Sequence, residues 1–167
     1  MANPADLLAQ YLEAIGFTGP DLEGTPRRVT ELLDSFRPAP LPTMSTFDAG
    51  GSGPIVVRRI PYYALCAHHL VPFFGHADVA YQPSATIAGL GSIASTVTVL
   101  ARRPQLQERL TEQIADALVD ALQPRGVVVR LQARQMCLEL RSAADGTLVE
   151  TEAHRGTIGS LLAMLNQ

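Results

Sequence analysis

Cys66-Ala67-His68-His69-Leu70-Val71-Pro72-Phe73-Phe74-Gly75 lies between two stretches that read as strands. The first is 55–60, whose β-branched Ile, Val and Val suit extended backbone; the second is 76–81. Toward the C-terminus, residues 92–122 hold two helix-like stretches, the second amphipathic through Leu106, Leu110, Ile114, Leu118 and Leu122. Residues 127–134 and 136–142 then read as strands, and Ala144-Asp145-Gly146 has the residues of a tight turn into a third at 147–153. Toward the N-terminus, Asn3 followed by Pro4 starts a helix carrying Leu7, Leu8, Tyr11, Leu12 and Ile15 that should stop near Gly16. Thr25-Pro26 repeats the signal for a second, with Val29, Leu32, Leu33 and Phe36 as its stripe. Residues 37–54, rich in Pro, Gly and Ser, read as a surface connection. Hairpins rather than alternating β-α units make this an α+β pattern with an antiparallel sheet. It is expected to be one domain over 1–167, with a helical arm at 1–37 and the main body at 55–167.

A chain of 167 residues with 47% hydrophobic content can bury one sizeable core. Its net charge of -3 lacks the basic face that a phosphate backbone attracts, so nucleic acid is not an expected partner. The start has no basic leader and no apolar run approaches the ~18 residues of a membrane span. The expectation is a cytoplasmic protein with no membrane partner. Cys66 and Cys137 stand alone, which rules out a disulfide framework and leaves metal, catalysis or plain burial.

Cys66 and His69, three positions apart, can close on one zinc ion from a single turn. Cys137 is the available third ligand, placed on an expected strand, and three protein ligands would leave a fourth position for water, the pattern of a catalytic zinc. The same residues also fit a chance C-x-x-H and an inert core cysteine. Glu108, in Gln105-Leu106-Gln107-Glu108-Arg109, fits either a solvated helix start or a carboxylate facing a guanine-like N–H edge. Arg141 falls on the same expected strand face as Cys137, where it suits an anionic substrate or plain solvent.

The motif at 66–75, the run Ala101-Arg102-Arg103-Pro104-Gln105-Leu106-Gln107-Glu108-Arg109-Leu110-Thr111-Glu112-Gln113-Ile114-Ala115, Gln135-Met136-Cys137, and Glu23-Gly24-Thr25-Pro26-Arg27-Arg28-Val29 together closely resemble the GTP cyclohydrolase I family. The resemblance covers nearly the whole chain. It implies the tunnelling fold, an antiparallel sheet with helices on one side, assembled as a homodecameric ring with active sites at subunit boundaries. It makes Cys66, His69 and Cys137 the ligands of a Zn2+ cofactor, His68 a catalytic acid/base, Glu108 the anchor of a guanine ring and Arg141 a phosphate contact. It also puts Gln107, Leu90, Ser92 and Ser95 at substrate-contact positions and Gln135 at a catalytic one.

The departures from the family pattern shape the expected activity. Ala67 stands where the family has Glu, and Gln135, which cannot exchange a proton near neutral pH, stands where it has a second catalytic His. After Gly89-Leu90, the family's Ser, Lys and Arg for the triphosphate are here Gly91, Ser92 and Ser95. Two lost hydrogen bonds to charged groups would cost about 3–6 kcal/mol. The expected reaction is attack of water on C8 of a guanine-type purine with fewer or no phosphates, His68 protonating the departing nitrogen, with a ring-opened formamidopyrimidine as a possible end point. The alternatives are an ordinary GTP cyclohydrolase I making dihydroneopterin triphosphate, a silent zinc-binding subunit, and a different reaction on a purine or pterin-like ring.

Overall fold

The computed structural model describes residues 2–141 and 146–166. The chain divides after Arg37 into two compact units. In the first, α1 (Pro4–Ala14) begins where Asn3 caps it, its side chain accepting from the Ala5 N–H at 3.1 Å. The next helix, α2 (Thr25–Asp34), starts differently from the expectation. Its N-cap is Gly24 in the left-handed region, and Thr25 spends its hydroxyl on the Arg28 guanidinium. Neither helix buries a residue.

The second unit is built on a five-stranded sheet. Its strands are β2 (Ile55–Cys66), β3 (Pro72–Gln82), β5 (Pro104–Gln105), β6 (Gly126–Gln135) and β7 (Leu148–Gly156), in the order β5-β2-β3-β6-β7. All pairs are antiparallel except β2–β5, where Cys66 lies opposite Gln105. Both strands flanking the 66–75 motif run further than their β-branched cores suggest, so the motif is the tip of a hairpin. Gly75 is required there, because a Cβ at that position would run into the Gln132 carbonyl of β6. A second small sheet pairs β1 (Thr46–Asp48) with β4 (Thr86–Ala88), inside and beyond the stretch read as an irregular connection.

Helices α3 (Leu90–Ala101) and α4 (Gln107–Leu122) bury their apolar sides on one face of the large sheet. Leu110, Ile114, Leu118 and Leu122 of α4, all within 2% exposure, meet Ala77, Val79, Tyr81, Val127, Val129 and Leu131. Truncating one such leucine to alanine costs about 2–5 kcal/mol. The alternate residues of the same strands, Ala80 and Val128, face the other way and pack under α6 (Gly159–Leu165), which the sequence pattern did not mark.

Residues 136–142 differ from the expected strand. Met136–Glu139 forms a single helical turn, α5, continued by hydrogen bonds from Leu140 N to Met136 O (2.9 Å) and Arg141 N to Leu138 O. The Met136, Leu138, Leu140 alternation mimics a strand, but β6 ends at Gln135 and the chain turns back. Cys137 therefore sits on a helical turn and Arg141 beyond its end, not on one strand face. The expected turn at 144–146 lies largely outside the described residues.

Candidate active site

The turn joining β2 to β3 is closed by its own backbone. Cys66 N donates to Val71 O (2.8 Å), while Leu70 N and His69 N both donate to Cys66 O. Leu70 takes φ 55°, a left-handed conformation unusual for a branched side chain, and this sharp turn carries His68 and His69 beside Cys66. Ala67 N donates to Gln105 O at 2.9 Å, tying the turn to the chain just before α4. Helix α4 then presents Gln107 and Glu108 in its first turn, where a carboxylate is favoured by the helix N-terminus. From the far side, α5 brings Cys137. Arg134 holds that turn by a two-pronged pair with Glu139 (2.8 and 2.6 Å), which keeps the Glu139 carboxyl below its ordinary range.

The ligand atoms of Cys66, His69 and Cys137 lie within 4.8 Å of one another. Cys66 is buried, Cys137 half-buried and His69 exposed. Burial pushes the Cys137 thiol up, and the neighbouring Cys66 thiol pushes it further. Two thiols and an imidazole this close form a borderline-soft donor set that fits zinc, and a cation between them would reverse the direction of that shift. His69 Nδ1 is 3.6 Å from Cys66 Sγ, and Arg141 hydrogen-bonds His69 Nε2 at 2.8 Å. A neutral imidazole has one lone pair, so His69 can serve Arg141 or a metal at Nδ1, not both.

Beside this cluster lies a cavity of about 260 Å³, walled by Cys66, His68, Gln107, Glu108, Gln135 and Cys137, with apolar surface from Phe73, Leu106, Leu138 and Val149. The side chains of Glu108 and His68 are exposed, whereas Gln107 is 3% exposed. The Gln107 amide nitrogen donates to Val149 O (2.9 Å) and Leu131 O (3.3 Å), and its oxygen accepts from Gln135 at 2.7 Å. Gln105, which pattern reading passed over, is 1% exposed and equally committed. It donates to Leu100 O and Gln113 and accepts from Arg109 Nε (2.8 Å). Its burial at a parallel strand pairing could not be seen in a polar helix-start sequence.

Leu90, Ser92 and Ser95 do not join this group. Leu90 is 63% exposed. Ser92 and Ser95 line a separate cavity of about 360 Å³ with Ser45, Phe47 and Gly91, and no cationic side chain borders it among the described residues. Ser92 Oγ accepts from Ser45 N at 3.1 Å.

This architecture resembles the apo form of an archaeosine synthase, QueF-Like. The match has a TM-score of 0.53 at 18% identity and spans 65% of this chain and 98% of that one, a likeness of fold alone. Fold and donor cluster together define a tunnelling-fold protein with a Cys-His-Cys metal-type site. The chain belongs to the GTP cyclohydrolase I family, a family of hydrolases, whose family model matches residues 6–163. Its relatives include GTP cyclohydrolase 1 of Streptococcus agalactiae, 43% identical over 88% of this chain and 83% of the relative. GTP cyclohydrolase 1 of Streptococcus pyogenes is 39% identical over 92% of this chain and 89% of that one. No helix among the described residues is long and apolar enough to cross a membrane.

Proposed function

We propose that the chain is a zinc-dependent hydrolase that opens the imidazole ring of GTP at C8, in the manner its relatives' name implies. The observation that carries this reading is the meeting of Cys66, His69 and Cys137 at the edge of a cavity also walled by His68 and Glu108. Cys66, His69 and Cys137 would hold the zinc, which supplies activation of water near neutral pH. Glu108, at the helix start, accepts the paired N–H groups of a guanine edge, which fixes the base in the cavity. His68 stands on the exposed rim, free to give a proton to the ring nitrogen that leaves when the C8–N bond breaks. The apolar walls from Phe73, Leu106 and Val149 exclude water from the rest of the base. Relatives at about 40% identity favour GTP itself over the phosphate-poor substrate expected from the sequence departures.

That second reading keeps one supporting observation, the cavity at Gly91, Ser92 and Ser95 with no cation on its described walls. Because those residues line a cavity separate from that of Glu108 in one chain, a site that meets the phosphates of GTP through them takes them from another copy. Such a homo-oligomer, a decameric ring in the family pattern, would also cover the nine-residue β7, which is an edge of this sheet. Incubation of zinc-loaded protein with GTP, GMP, guanosine and guanine, followed by purine absorbance and mass, tests the proposal. Loss of GTP with gain of water or conversion to a pterin supports it. Opening of guanosine or GMP but not GTP selects the second reading, and unchanged purines in every tube reject both.

A further inference from the structure

The hydrogen-bond polarity of Gln135 is set from outside the cavity. Main-chain carbonyls only accept, so Val149 O and Leu131 O oblige the Gln107 nitrogen to face them. The Gln107 oxygen is thereby turned to Gln135 and can only accept, so the Gln135 nitrogen must donate to it across 2.7 Å. Gln107 is too deeply buried for its amide to turn over without setting its own oxygen against those carbonyl oxygens, away from water. Gln135 keeps its second N–H and its oxygen; the oxygen is the end turned to Cys137 on the cavity wall, where it accepts from the Sγ thiol at 4.0 Å. A carboxamide that could present either end is thereby oriented with its oxygen next to the metal-type cluster.

The geometry points to Gln135 as a specificity-determining residue that favours the ring-opened base over the intact purine, by accepting a hydrogen bond from an N–H that the opened base alone carries. This rests on the C8-opening reading above. The imidazole edge of an intact guanine presents the N7 lone pair and a C8–H, neither of which donates usefully to a carbonyl oxygen. Hydrolysis consumes one water. Its oxygen becomes the formyl oxygen on C8, the C8–N9 bond breaks, and its two protons end on N7 and N9. N7 thus changes from acceptor to formamide donor with no oxidant or reductant needed. A fixed acceptor opposite that edge binds the reacted base more tightly than the unreacted one, and so favours the opening step and retains its product. Histidine at the same position could donate as well as accept, whereas Gln135 has no proton to give on to a later step.

The two forms can be compared directly on metal-stripped full-length protein, where neither reacts, by equilibrium dialysis with GTP and with the 5-formamidopyrimidine form of the same nucleotide. The wild type is expected to prefer the opened nucleotide by ~5- to 10-fold, the worth of one hydrogen bond. Gln135→Met should bring that ratio to near one while keeping the zinc stoichiometry and circular dichroism of the wild type. A wild type without the preference, or a Gln135→Met protein that retains it, overturns the inference and leaves C8 opening standing. If neither nucleotide binds and zinc-restored protein opens no guanine compound, the C8-opening reading falls with it.

Discussion

Replacing Gln107 with methionine keeps the length of the side chain and removes every hydrogen bond its amide makes. The structure gives three of these, to Val149 O, to Leu131 O and from Gln135, at a site 3% exposed. At about 1 kcal/mol for each net bond, and with the partners left in a dry place, the loss is expected to be about 3 kcal/mol. For an m-value of ~2 kcal/mol per molar urea, the unfolding midpoint should fall by about 1.5 M, compared at one fixed protein concentration because assembly adds to apparent stability. The same change frees the Gln135 amide to rotate, so the preference for a ring-opened nucleotide should vanish even though Gln135 is intact. A midpoint within ~0.3 M of wild type would show that the amide bridge between α4, β6 and β7 contributes nothing measurable, and the fixed polarity of Gln135 would lose its basis.

Tyr62 is 1% exposed with a hydroxyl that has no partner among the described residues, and burial raises its pKa well above the ordinary phenol value. Tyr62→Phe should therefore raise the urea midpoint, by about 1 kcal/mol of stability; a clear fall would mean that the hydroxyl is satisfied in solution. Cys137→Ser or His69→Ala should reduce bound zinc from about one per chain to near zero in a dialysed sample, as read by atomic emission. Glu139→Gln should destabilise the protein at neutral pH. Glu139 is held below its ordinary pKa by Arg134, so its contribution is present above the unfolded-state value and disappears as pH falls through the folded one. The two melting curves should accordingly converge in acid, and a gap that persists there would point to packing instead. Ser92→Lys with Ser95→Arg should tighten GTP binding, most of all at low salt, if that cavity meets the phosphates; no change would place the triphosphate elsewhere.

The parts of the fold written in local pattern were legible. Asn3-Pro4 marks the start of α1 because cap and first-turn chemistry are contained in adjacent residues, and the Leu110, Ile114, Leu118 stripe marks α4 because its period is the helix's own. Cys66, His69 and Cys137 converge as their chemistry suggested, though the element carrying Cys137 differed. Apolar alternation over 136–140 resembles a strand, and a four-residue helix is decided by the chain's need to reverse after Gln135 and by the Arg134–Glu139 pair, both tertiary. Helix α6 escaped for a related reason: its buried residues, Leu161 and Leu165, are too few to show a period, and they are buried by Ala80 and Val128 far away in sequence. The commitments of Gln105 and Gln107 were equally hidden, since their partners are main-chain carbonyls and side chains that only the folded sheet brings near.

The most direct measurement is mass analysis of GTP after incubation with zinc-loaded protein, run beside a Cys137→Ser control. The wild type is expected to yield a product one water heavier than GTP, or the pterin formed from it, and the control unreacted GTP. Recovery of intact GTP from a wild type shown to hold zinc would contradict C8 opening of GTP.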